Sequence, residues 1–130
     1  LRDRHSDNPL DRVMPVVTKE ELLQLVQQTR SVEAKDRIFD YITTLAEATR
    51  THPMVELGVS PRGALALCRM AKAHAFLAGR DFVVPEDVAS VFPDVCAHRL
   101  ILSAKARMME EKTENILAEI LKSVDMPVLK

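Results

Sequence analysis

The sequence predicts an all-α fold, a small helical bundle of about five helices with a few extended residues. Three observations predict it. The 130 residues are 47% hydrophobic and 28% charged, with three glycines and no tryptophan, so good helix formers dominate and the length suits one domain with its own core. Apolar residues recur at three- and four-residue spacing in several windows. Capping residues, prolines and glycines stand where such windows begin and end.

Residues 1–17 read as an irregular lead-in, because "RDRHSDNPLDR" is polar and Pro9 and Pro15 punctuate it. "TKEELLQLVQQT" predicts the first helix, with Thr18 and Glu21 as a capping box and Leu22, Leu25, Val26 and Thr29 as a buried stripe. "SVEAKDRIFDYITTLAEATRTH" predicts the second. Ile38, Tyr41, Ile42, Leu45 and Thr49 share its inner face, and Pro53 ends it. "MVELGV" is a short connection with extended character.

A third helix is expected from Pro61 to about Ala78, with Ser60 as N-cap and Gly79 in the left-handed position after its end. Ala64, Leu67, Cys68, Ala71, Ala75 and Ala78 form a stripe of mostly small residues along it. "PEDVASVFPDVCAHRL" starts a fourth, with Pro85 at the first position, Glu86 and Asp87 in the first turn, and Pro93 expected to break or kink it. "LILSAKARMM" fits strand or helix equally. "KTENILAEILKSV" closes the bundle, with Ile116, Leu117, Ile120, Leu121 and Val124 inward.

Net charge is −1, so no global basic field draws nucleic acid. No apolar run reaches the length of a membrane span, and no signal peptide is visible. Cys68 and Cys96 show no disulfide pattern, which favours a reducing cytosol. The chain begins at Leu1 rather than Met and is expected to be a piece of a longer protein. Cys96 with His98, and Cys68 with His74, lack zinc-site spacing, and no glycine-rich turn would build an oxyanion hole. No G-x-x-x-x-G-K-[ST] loop is present, so this chain alone should not hydrolyse a nucleotide. "RMAKAHAFLAGR" is mildly basic through Arg69, Lys72 and Arg80, and reads as a solvated face before it reads as a DNA-recognition helix.

Arg62 is the anomaly. It lies in the first turn of the third helix, where the macrodipole is positive and acids are preferred. A docked anion would reverse that sign, since free N–H groups, dipole and guanidinium would all favour the same phosphate. Local sequence alone favours the plainer reading, an exposed arginine that swings clear or pairs with an acid such as Glu56.

From Leu57 to Leu102, the elements "GVSPR", "GRDFVVPEDV" and "HRLIL" occur in order. In that order and spacing the sequence resembles the C-terminal helical lid of MoxR-family AAA+ ATPases. "DYITTLAEATRTHP" and "TENILAEILKSVDMP" resemble the flanking lid helices, and the likeness runs from about Asn8 to Pro127. One departure is "ARMMEEKTEN", which lacks the glycine-containing turn that relatives often carry before the last helix. The resemblance implies residues 1–17 as a linker from an ATPase core and residues 18–130 as the lid. It implies ATP and magnesium held through that core, none bound by this piece alone, in a cytoplasmic protein. Arg62 takes the sensor-2 place facing the γ-phosphate, with Ser60 and Pro61 shaping the helix start, which reverses the local reading. His98 and Arg99 match an "HR" element expected to serve lid structure or lid–core contact. The implied parent is an ATP hydrolase whose ring, hexameric in similar proteins, does chaperone-like remodelling or assembly of protein complexes. Its partners would be its own core, neighbouring subunits and a von Willebrand factor A domain protein. Other readings are the lid of another AAA+ branch, such as a magnesium-chelatase-like subunit, and a free-standing helical adaptor.

Overall fold

The computed structural model describes residues 9–128. Residues 1–8 of the lead-in therefore lie outside the described residues, and Pro9–Arg12 form a short 3-10 turn. Six α-helices and two very short strands follow among the described residues: α1 Lys19–Ser31, α2 Asp36–Thr51, β1 Val55–Leu57, α3 Pro61–Leu77, α4 Pro85–Cys96, β2 Ile101–Leu102, α5 Ala104–Met108 and α6 Thr113–Ser123. The all-α expectation holds, with α5 as a sixth, one-turn helix.

The core lies between α2, α3, α4 and α6. Ile38, Leu45, Leu67, Phe92, Ile116 and Leu117 are fully buried there. The inner face expected of α2 is buried in full, including Thr49. On α3, Leu67, Ala71 and Ala75 are buried, which lets α4 approach closely. Ala78 leaves this stripe because it caps the helix and is exposed. Gly79 takes φ +75, and the amides of Gly79 and Arg80 return to the carbonyls of Phe76 and Ala75, a Schellman ending.

Three expectations are corrected and one open reading is resolved. The Thr18–Glu21 capping box of α1 forms, but the helix buries no residue, and Leu22, Leu25 and Val26 are exposed. A periodic apolar stripe shows that a face is apolar; it does not show that the same chain covers it. The second helix starts at Asp36 rather than Ser31. Residues 32–35 run extended instead, with Glu33 bonded to Asp81 and Val83 across a parallel bridge. Pro93 does not break α4, which continues to Cys96 because Phe92, Val95 and Cys96 are buried around it. The ambiguous "LILSAKARMM" divides: Ile101 and Leu102 pair antiparallel with β1, and Ser103 then caps α5.

Candidate functional site

The start of α3 is built from four residues. Ser60 is extended and its hydroxyl accepts from the Gly63 N–H at 3.2 Å. Pro61 has no N–H to satisfy and presets helical φ. Gly63 is buried, and a side chain there would collide with Val59, its Cβ falling 2.7 Å from Val59 Cγ1. Arg62 stands between them, exposed. Glu56, the acid expected as an alternative partner, turns to Arg107 at 3.7 Å instead. Among the described residues no hydrogen bond or ion pair engages the Arg62 guanidinium. Fewer free amides remain here than a bare helix end offers, because Ser60 occupies one and Pro61 lacks another. The Arg62 N–H of this first turn has no acceptor among the described residues.

Arg99 comes to the same place from the turn after α4. Its Nε donates to the Val95 carbonyl at 2.9 Å, and its Cδ would stand 3.4 Å from a Cβ on Gly63. The stem of Arg99 therefore lies over the first turn of α3. Its neighbour His98 is exposed in the same Ala97–Arg99 turn. The sequence separates residues 62 and 99 by more than thirty positions; the packing of α3 on α4 brings the two arginine-bearing turns together.

A second polar cluster closes the loop between α3 and α4. Asp87 is 1% exposed and accepts from Arg80 Nη1 at 2.7 Å, Arg80 Nη2 at 2.6 Å and the Val84 N–H at 2.8 Å. His74 Nδ1 lies 2.8 Å away. Burial pushes the Asp87 carboxyl up, but the Arg80, Val84 and His74 hydrogen bonds outweigh it and hold the group at about 2. The sequence marked Asp87 only as a first-turn acid and Arg80 only as a surface cation; their seven-residue separation, across the loop that follows Gly79, was the available signal. The basic face of α3 is thinner as a result. Arg80 is committed to Asp87, and Lys72 donates to the Arg30 carbonyl.

The cysteines are not poised for chemistry. Burial raises Cys96 to about 11 and also raises half-buried Cys68. Among the described residues no group of three or more His, Cys, Asp or Glu side chains is placed to hold a metal ion. At the start of α3 a guanidinium and a backbone N–H without partners among the described residues stand at the positive end of a 17-residue helix, an end that favours anions.

The AAA lid domain family matches residues 47–120. The protein YeaC of Bacillus subtilis (strain 168) is 38% identical over 125 residues, covering 96% of this chain and 39% of YeaC. Chaperone MoxR1 of Mycobacterium tuberculosis is 31% identical over 121 residues, covering 86% of this chain and 32% of MoxR1. A solved structure from Cytophaga hutchinsonii, described as a candidate ATPase, superposes with a TM-score of 0.88 at 30% identity, covering 98% of this chain and 41% of that one. The chain thus spans 32% to 41% of the length of these relatives.

Proposed function

The chain belongs to the AAA lid domain family, as a lid of the MoxR type, and from that membership we propose that it closes over ATP bound by a core domain of the same polypeptide. Residues 18–130 are the lid in this reading and residues 1–17 the link to the core. Arg62 is the sensor-2 residue. The observation that carries this is its position: an exposed first-turn arginine with no internal partner, at a helix end where only an anion makes a cation favourable.

When bound, ATP supplies the transferable phosphoryl group and its magnesium, both held outside this lid. Arg62 places a fixed positive charge and its own N–H against the terminal phosphate and stabilises charge that develops there. Ser60 and Pro61 fix the turn that presents it. Arg99 and His98 hold the neighbouring turn, with the Arg99 stem over Gly63. Loss of the γ-phosphate removes the contact that Arg62 makes across the domain boundary. The lid is then free to rotate against the core, and a ring passes that rotation to its neighbour.

The exposed stripe of α1 supports contact with the core or a ring neighbour. Leu22, Leu25 and Val26 of α1, Phe39 of α2 and Leu65 and Phe76 of α3 line an apolar groove of about 640 Å³. The parent is read as a hexameric, cytoplasmic, chaperone-like ATPase that remodels or assembles protein complexes, with a von Willebrand factor A domain protein as partner. The name of one relative, Chaperone MoxR1, supports the chaperone-like part of this reading. No helix among the described residues is long and apolar enough to cross a membrane.

The test is steady-state ATP hydrolysis by the full-length polypeptide, wild type against Arg62→Ala, with ATP binding followed in parallel. Binding is expected to be largely kept and turnover to fall about tenfold or more. Unchanged turnover in a parent that hydrolyses ATP would return Arg62 to an ordinary surface arginine.

A further inference from the structure

The residue before the α3 cap is held at both of its backbone polar groups by one turn of another helix. The Val59 N–H donates to Thr49 Oγ1 at 2.8 Å, and the Val59 carbonyl accepts from Arg50 Nε at 2.9 Å. Both partners come from the last turn of α2. Thr49 is completely buried and its hydroxyl is used twice, donating in turn to the Ala46 carbonyl at 2.6 Å. Arg50 is steadied by Glu47 at 3.1 Å. Gly58 lies directly on the α2 backbone: a Cβ there would fall 2.6 Å from the Arg50 nitrogen and 2.7 Å from its Cα. Only glycine permits this approach. The Val59 side chain is fully buried beneath Gly63.

Between this clamp and Arg62 little freedom remains. Ser60 is fixed by its own hydrogen bond to Gly63, and Pro61 by its ring. The Cα of Arg62 is therefore tied to α2 through three restrained residues, although its guanidinium is free. We propose that Thr49 and Arg50 are positioning residues for Arg62: they hold the Gly58–Val59 segment so that the arginine meets the phosphate at a set distance from α2. This rests on the sensor reading of Arg62 given above. The clamp adds the means by which a shift of α2 changes what Arg62 reaches.

The experiment uses the full-length polypeptide in four forms: Arg62→Ala, Thr49→Val, Thr49→Ser and the double variant Thr49→Val with Arg62→Ala. Thr49→Val keeps the shape and removes the hydroxyl. It is expected to lower kcat about tenfold with a much smaller change in the KM for ATP, Thr49→Ser is expected to restore turnover, and the double variant to be no slower than Arg62→Ala alone. Arg50→Met, at a partly exposed position, serves the same test if Thr49→Val does not fold. Amide exchange without nucleotide supplies a second readout. Thr49→Val is expected to speed exchange at Val59 and at the Ser60-bonded Gly63 while leaving α4 and α6 unchanged. Multiplying defects in the double variant, unchanged turnover in Thr49→Val while Arg62→Ala is slow, or unchanged exchange at Gly63 would each overturn the positioning role. Unchanged turnover in Arg62→Ala itself would instead remove the sensor reading, and this inference with it.

Discussion

Asp87 is the buried carboxylate among the described residues. A buried carboxylate is costly unless every lone pair is met, and here a bidentate arginine, a backbone N–H and a histidine ring meet them. The carboxyl ionises at about 2 in the folded chain against an ordinary 3.8. Folding thus favours the ionised form. That contribution is complete above the ordinary value and is lost as pH falls from about 4 through about 2; it is worth about 2 kcal/mol. Urea unfolding at a series of pH values checks this. Wild type is expected to lose about 2 kcal/mol more than Asp87→Asn between about pH 5 and pH 2, and the variant to be the less stable at neutral pH by a similar amount. Equal acid slopes for the two proteins would show that the network does not set the carboxyl.

At the scale of elements, the turn between α5 and α6 shows how a missing glycine is accommodated. The turn before the last helix contains no glycine in this chain. Glu110 fills the position with φ 55, and the amides of Glu110 and Glu111 return to the carbonyls of Arg107 and Ala106 in the same Schellman pattern that Gly79 makes. The turn is kept and a side chain bears the left-handed backbone at a cost of about 1 kcal/mol. Glu110→Gly is therefore expected to raise stability by about 0.5–1 kcal/mol, read as a higher Tm by calorimetry. α4 gives the complementary lesson. Pro93 removes one backbone bond from the helix interior, yet the last turn stays because the residues flanking the proline are in the core. Local propensity predicted an end there, and burial overruled it.

For the whole molecule, the consequential feature is the face that no described residue covers. Helix α1 buries no residue, and with α3 it forms an apolar groove whose charged lining residues are Arg30, Arg69 and Lys72. A patch of this kind is a place of contact in the intact protein. The isolated 130-residue chain is expected to bind a hydrophobic dye there and to associate as its concentration rises, by sedimentation velocity. Leu65→Asp is expected to suppress both while changing stability by less than about 0.5 kcal/mol, because Leu65 is already 61% exposed. A dye signal that survives Leu65→Asp would locate the sticky surface elsewhere.

The sequence by itself determined the helices with strong local signals. The α1 capping box, the inner face of α2, the Ser60–Pro61 start and Gly79 end of α3, and the acids opening α4 are set by capping, φ preference and period, all of which act within a few residues. The same local physics exposed Arg62 as a cation at the wrong end of a dipole. Tertiary structure alone decided the rest. Whether the α1 stripe is covered, whether Pro93 ends a helix, that Arg80 belongs to Asp87, that Arg99 lies over Gly63 and that Thr49 and Arg50 grip Val59 all depend on which surfaces meet. Side-chain pattern states what a face is made of; only the packed chain supplies its neighbour, and burial and pairing energies exist only once that neighbour is in place.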